Sequence, residues 1–248
     1  MADPEPWLDF VRSMPATYTQ VFTPQEIDEH ARIVAERGKR PAYASLWRTL
    51  PSGLSIFCVV TNDRPGVVAL ISAAFVAHQL DVCSAQIYSR KRKDGTSEAV
   101  DFFWVHGSGS SALSVAKRHR ACARTIQDFL SGSSEPELAD SSARLMRAPN
   151  IEARVEIFPR TVDGREWEVQ VEVADRTGLL HAIARTLYRQ GLEIVHCDVR
   201  TSAGIARDRF TIASVNGSSL EFSAAERLKT ALLAAIAELS AKGLAQAR

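Results

Sequence analysis

The chain has 248 residues, of which 46% are apolar and 24% charged, and this ordinary globular composition excludes a disordered or fibrous protein. The formal net charge of +1 provides no general field for attracting nucleic acid or an anionic membrane, so we expect neither as a partner. The length accommodates two domains of about 100 residues and an extension.

The chemical content of the chain points to a reduced, cytoplasmic protein. The first ten residues lack a basic region followed by an apolar run, and no stretch approaches the roughly 18 apolar residues of a membrane span. The four cysteines lie far apart without a C-x-x-C pair, which favours buried thiols over a disulfide or a zinc site. We therefore expect no metal and no cofactor.

Residues 1–50 are predicted to form a helical extension. Thr23, Pro24 and Glu26 match the N-cap, the first helical position and the third position of a capping box. The helix that begins there is expected to run to Arg37 and to end at Gly38.

A duplicated pattern occupies most of the remaining chain. The tetrad Asp-Arg-Pro-Gly at 63–66 recurs as Asp-Arg-Thr-Gly at 175–178, an offset of 112 positions, and apolar residues on both sides of the tetrads align as well. The offset shortens to 107 where Asp101 aligns with Asp208. Such a change locates a length difference in one hairpin between two copies of the same unit.

Each copy predicts the order strand, helix, strand, strand, helix. Apolar and polar residues alternate over 167–173, which indicates a strand with one buried face, whereas 56–60 is apolar on both faces and should be covered on both. An amphipathic helix follows each tetrad. The second strands are predicted over 82–89 and 194–201, and the third strands over 99–105 and 207–215.

This order predicts an α+β protein with two ferredoxin-like domains, each of which needs one further strand to complete βαββαβ. We expect the first domain at 51–130 with a closing strand near 154–158, a connection at 131–150, and the second domain at 165–248. No strand follows the last helix, so one sheet edge has to be covered in another way, for example by side-by-side pairing of the two units.

A βαββα unit whose first loop reads Asp-Arg-Pro-Gly resembles the ACT domain, an amino-acid-binding regulatory module. The tandem arrangement, the Asp-Arg-Thr-Gly-Leu-Leu start at 175–180 and the leading stretches at 14–18 and 23–31 resemble the C-terminal regulatory region of the bacterial bifunctional uridylyltransferase/uridylyl-removing enzyme. The Asp-x-Asp and His-Asp motifs of that family's catalytic domains do not occur in the sequence, so we expect no enzymatic activity.

The resemblance implies a regulatory protein that senses a small amino acid, with glutamine as the family-based ligand, in the control of nitrogen or amino-acid metabolism. It also implies a separate effector protein or enzyme as partner, and a homo-oligomer as one option. Two alternatives stay open: an interaction module that has lost ligand binding, and an enzyme with an unfamiliar site.

The predicted site lies where each tetrad begins a helix. Backbone N–H groups at a helix N-terminus favour a carboxylate, glycine permits close approach, and side-chain oxygens accept from an ammonium group. The same tetrad is also simply a good turn. Because ACT ligands commonly lie between domains, second-strand residues are included. The predicted ligand-binding residues are Asn62, Asp63, Arg64, Gly66, Val67, Gln86, Asp175, Arg176, Gly178, Leu179 and Asp198.

Overall fold

The computed structural model describes residues 7–107, 112–134 and 151–246, which form seven helices and nine strands. The first half contains α1 (Trp7–Ser13), α2 (Tyr18–Val21), α3 (Pro24–Arg37), β1 (Ala42–Thr49), β2 (Leu54–Asn62), α4 (Val67–Ala77), β3 (Leu80–Gln86), β4 (Ser89–Lys91), β5 (Ser97–Gly107) and α5 (Ala112–Ser131). The second half contains β6 (Arg154–Pro159), β7 (Glu166–Ala174), α6 (Leu179–Arg189), β8 (Leu192–Ser202), β9 (Ile205–Ser214) and α7 (Phe222–Gln246). Residues 135–150 of the predicted connection lie outside the described residues.

The strands form a single antiparallel sheet in the order β1-β2-β5-β3-β8-β9-β7-β6, with β4 paired to β5. The predicted α+β class is therefore confirmed. The two repeats join at their second strands, where β3 pairs with β8 through three residue pairs that include Gln86 with Asp198. The side-by-side pairing considered from the sequence thus exists, and it covers one edge of each repeat.

The fourth strand of each repeat comes before the repeat rather than after it. β6 forms as expected, but it pairs with β7 of the second repeat, so the prediction that it closes the first repeat is wrong. The place beside β2 is filled by β1, which lies inside the predicted helical extension. Both strands connect to their partners through short hairpins, and short loops cost less closure entropy than a long crossover.

The sheet has a different covering on each face. Helices α4 to α7 cover one face, where the core includes Phe57, Phe103 and Phe210. Helices α1 to α3 cover the other face of the first repeat, where Cys58 and Phe102 are buried. This explains why β2 is apolar on both faces, whereas β7 alternates between buried and partly buried positions as the sequence predicts.

Helix α3 begins with the predicted capping box. The Thr23 hydroxyl accepts from the Glu26 N–H at 3.4 Å, and the Glu26 carboxylate accepts from the Thr23 N–H at 2.9 Å. The helix ends at Arg37, whose guanidinium is 4% exposed and ion-paired to the buried Glu98 carboxylate on β5. Arg90 on β4 pairs with the same carboxylate at 2.6 Å. The helical extension is therefore fixed to the first repeat by buried charge as well as by apolar contacts.

Candidate ligand-binding site

The two tetrads adopt the same backbone conformation. Gly66 has φ +86° and Gly178 has φ +88°, both in the left-handed region that favours glycine, and each is the N-cap of the helix that follows. A Cβ on Gly66 would also lie 3.0 Å from the Cε2 atom of Tyr188 on α6. The first loop therefore needs glycine both for its conformation and for its contact with the second repeat.

The backbone N–H groups of the two loops differ in their hydrogen bonds. The Leu179 N–H donates to the Arg176 carbonyl oxygen at 3.0 Å, so this amide is used within its own turn. The corresponding bond from Val67 to Arg64 is 3.4 Å long, near the limit of hydrogen bonding. The Leu179 N–H is therefore less available to a ligand than the Val67 N–H, which makes only the longer bond within its turn.

A cavity of about 150 Å³ opens beside the first tetrad, between the two repeats. Its first-repeat wall is formed by the loop after β2, the start of α4 and parts of β4 and β5, and its second-repeat wall by the end of α6 and the start of β8. The lining residues used below are Asp63, Arg64, Gly66, Asp101, Tyr188 and Glu193. A cavity of this volume accommodates a ligand of roughly benzene size.

Asp101 is the most unusual residue of this cavity. It lies on β5 opposite Val59, is fully buried, and its Oδ1 atom accepts from the Tyr88 N–H at 3.3 Å. Its Oδ2 atom is buried and has no hydrogen-bond partner among the described residues. Burial raises the pKa of Asp101 well above its usual value, and the nearby Asp63 charge adds to this increase. Both effects favour the neutral carboxylic acid over the carboxylate at this position.

The other charged groups of the cavity are mostly acidic. Asp63 is exposed at the opening, and burial together with the Asp63 charge raises the pKa of Glu193. The cation of the lining, Arg64, donates through Nη2 to the Leu130 carbonyl oxygen at 2.8 Å, near the end of α5. Its role in the structure is thus to bind a helix C-terminus, where cations are favourable.

A second pocket lies at the equivalent position beside the second tetrad, but it has a volume of only about 10 Å³. Asp175 and Asp208 take the places of Asp63 and Asp101, and Asp81 takes the place of Glu193. Burial, with a contribution from the Asp175 charge, raises the pKa of Asp81 to about 7. Burial likewise raises the pKa of Asp208 to about 7. This space is enough for about one water molecule.

Larger side chains account for the difference between the two pockets. Leu179, Leu180 and His181 stand where the first repeat has Val67, Val68 and Ala69. The His181 Nδ1 atom lies 3.2 Å from the Ala69 carbonyl oxygen and 3.3 Å from the Ser72 hydroxyl on α4. The second pocket is therefore filled by the protein's own side chains.

Three predicted residues, Asn62, Gln86 and Asp198, lie outside both pockets. Gln86 and Asp198 face each other across the β3–β8 junction, with 3.4 Å between Gln86 Nε2 and Asp198 Oδ1. The Asn62 side-chain oxygen accepts from Arg37 at 2.5 Å, which connects the first loop to the end of α3. Arg176 lines the second pocket and donates to the Ser240 carbonyl oxygen at 3.4 Å, as Arg64 does to α5.

Sequence reasoning missed Asp101, Tyr188 and Glu193. The signal for Asp101 was present, because an aspartate occurs at the same position of the third strand in both repeats, two residues before a core phenylalanine. An acidic residue predicted to face a core has to be satisfied by a partner or have a function. Tyr188 and Glu193 carried no such signal, because their position at the cavity depends on how the repeats pack.

The described residues contain no group of three or more histidine, cysteine or acidic side chains that could hold a metal ion. The four cysteines are free thiols. None of the helices in the described ranges is long and apolar enough to cross a membrane.

Comparison with known proteins gives relatives of one kind. In an alignment of 258 positions that covers the whole chain, the sequence is 28% identical to the bifunctional uridylyltransferase/uridylyl-removing enzyme of Phenylobacterium zucineum. The enzymes of the same description from Gluconobacter oxydans and Aliivibrio fischeri are 26% and 23% identical over 76% and 92% of the chain. The expected resemblance is confirmed. The chain spans only 20–26% of the length of these relatives, so the match concerns one part of a larger enzyme.

No protein-family model matches the chain. Among solved structures, an unknown protein from Galdieria sulphuraria covers 80% of the chain at 18% identity with a TM-score of 0.25, which is too low to support a structural argument.

Proposed function

We propose that this chain is a regulatory protein whose tandem ACT-type repeats bind a small amino acid in the cavity beside the first tetrad. Glutamine is the first ligand to test, because the relatives are uridylyltransferase/uridylyl-removing enzymes, and the sequence resemblance to these enzymes implies glutamine as the ligand. The observation that carries the proposal is the cavity of about 150 Å³ at the helix N-terminus of one repeat, closed on its other side by the second repeat.

The position of the cavity supports a regulatory rather than a storage role. Asp63 and Gly66 belong to the first repeat, whereas Tyr188 and Glu193 belong to the second. A ligand that contacts both walls would favour one relative packing of the repeats over others. Regulation requires this differential affinity, since a ligand that binds two states equally shifts neither.

The first loop also has a physical connection to the helical extension. Asn62, adjacent to Asp63, is hydrogen-bonded to Arg37, and Arg37 is ion-paired to Glu98. A change in the loop conformation on ligand binding would therefore alter the contacts of Arg37 at the end of α3, on the other face of the sheet. We propose that an effector protein or enzyme reads this change, in the control of nitrogen or amino-acid metabolism.

The test is a thermal-shift screen of the full chain against the twenty amino acids, followed by calorimetry on each response. A ligand at 100 times its dissociation constant stabilises the folded state by about 2.7 kcal/mol, which is easily measured. The variant Asp63→Asn should weaken binding, and Asp175→Asn is the matched control because its pocket is filled. If none of the twenty raises the melting temperature, the proposal is refuted.

The filled second pocket favours one alternative, an interaction module that has lost ligand binding. In that case both aspartate variants would leave the thermal response to amino acids equally flat, while binding to an effector would be retained.

A further inference from the structure

We infer that the chain binds a single amino acid with an uncharged side chain, in the first cavity only, and that the Asp101 carboxyl group binds the ligand's primary ammonium group. This inference rests on the proposed function and adds to it the stoichiometry, the ligand class and the residue that selects it.

The unpartnered oxygen of Asp101 is the first argument. Buried side-chain oxygens in folded proteins almost always have a hydrogen-bond partner, and leaving one without a partner costs stability. Asp101 Oδ2 is fully buried, has no partner among the described residues, and belongs to a residue that lines an open cavity. A donor on a bound ligand would supply the missing bond.

The charge of the lining is the second argument, because it indicates what kind of donor fits. Asp63, Asp101 and Glu193 are acidic, and Arg64, whose Nη2 atom donates to the Leu130 carbonyl oxygen, is the single basic side chain among the lining residues. A cationic ammonium group is attracted to this lining, and its hydrogen bond to a carboxylate is charge-assisted. A ligand with a second carboxylate on its side chain would be repelled by the same residues. The ligand's single carboxylate can be placed at the N-terminus of α4.

The pseudo-equivalent pocket is the third argument, and it fixes the stoichiometry. Asp208 occupies the position of Asp101 and is equally buried, with its Oδ1 atom accepting from the Arg200 N–H at 3.3 Å. The space beside it is about 10 Å³, so no amino acid fits without displacing side chains such as His181. The duplicated sequence therefore carries two similar loops but only one usable cavity.

Binding should shift the ionisation of Asp101. Burial raises the pKa of this carboxyl group, and an adjacent ammonium group would lower it again by stabilising the anion, so ligand binding favours release of the proton to the buffer. Affinity should accordingly increase as the pH rises toward the pKa of the free carboxyl group. The charged and titratable groups around Asp101 are Asp63 and Arg64 on the loop, Cys58 on β2, Tyr188 on α6, and Glu193 and Cys197 on β8.

The experiment is isothermal titration of the full chain with L-glutamine, and with any other amino acid that the thermal screen identifies. Each ligand is compared with its analogue lacking the amino group, which for glutamine is glutaramic acid. Titrations in phosphate and in Tris, whose ionisation enthalpies differ, give the number of protons released. The variant Asp101→Asn and its matched control Asp208→Asn are measured in the same way.

We expect one ligand per chain, net proton release on binding, and binding weaker by about tenfold or more for the deaminated analogue and for Asp101→Asn. Asp208→Asn should retain the wild-type affinity. Should an amino acid bind with two per chain, or bind Asp101→Asn as tightly as the wild type, this inference is wrong while the proposed function stands. Should no amino acid bind any form of the protein, both fall together. If Asp101→Asn does not fold, as judged by circular dichroism, the wild-type stoichiometry and proton count decide the question.

Discussion

Glu98 gives the clearest prediction of stability, because its one buried carboxylate forms ion pairs with two buried guanidinium groups. We consider the substitution Glu98→Gln, which removes the charge and keeps the shape. In the wild type, Glu98 is 2% exposed, and the side chains of Arg37 and Arg90 are 4% and 2% exposed. The neutral side chain would remove the negative charge that these two buried cations share.

The size of the effect follows from what the arginines retain. Arg37 keeps three oxygen acceptors, including Asn62 at 2.5 Å, and Arg90 keeps the Ser13 hydroxyl at 3.0 Å. Removing one member of a buried ion pair typically costs about 3–5 kcal/mol. Because glutamine still offers one oxygen and the arginines keep these bonds, we expect a loss of about 3 kcal/mol.

The assay is equilibrium unfolding in urea, with the free energy of unfolding obtained by linear extrapolation. The matched control is Glu172→Gln, which breaks an exposed pair with Arg207 at 2.9 Å. Exposed pairs contribute about 0–1 kcal/mol, so this variant should be close to the wild type. A Glu98→Gln loss no larger than that of the control would show that the buried network does not stabilise the fold.

Three further predictions concern other parts of the structure. Gly66→Ala should destabilise the protein by about 1–3 kcal/mol, because of the positive φ and the contact of the new Cβ with the Tyr188 ring. The loss should exceed that of Gly53→Ala, where φ is +84° but a Cβ would have no neighbour within 4 Å. Equal losses in thermal unfolding would exclude an effect of the ring contact. The pKa of Asp208 is raised to about 7, so the stability it contributes is complete below pH 4 and is lost as the pH rises through 7. Asp208→Asn should therefore remove on the order of 4 kcal/mol from the decline in the free energy of unfolding between pH 4 and pH 8. An unchanged decline would argue against the raised pKa. Tyr18→Phe deletes the buried hydrogen bond to His30 Nδ1 at 2.7 Å and should cost about 1–3 kcal/mol in urea unfolding, whereas an unaltered midpoint would mean that the bond contributes nothing net.

The sequence by itself determined the parts of this protein that depend on local pattern. The capping box at Thr23, the alternation over β7 and the left-handed glycines Gly66 and Gly178 depend on a few neighbouring residues. Their energies are decided within one or two turns of chain, so they can be recognised without a fold. The duplication itself was visible because the same residues recur at a constant offset over long parts of the two copies.

Only the tertiary structure decided what depends on distant segments. Whether β6 closes the first or the second repeat is a choice between two similar edges, and the short hairpin to β7 decided it. The first pocket is open and the second is filled because of the sizes of side chains that pack between the repeats, such as His181 against α4. Asp101 becomes a candidate ligand-binding group for the same reason, since it lines a cavity whose walls come from both repeats.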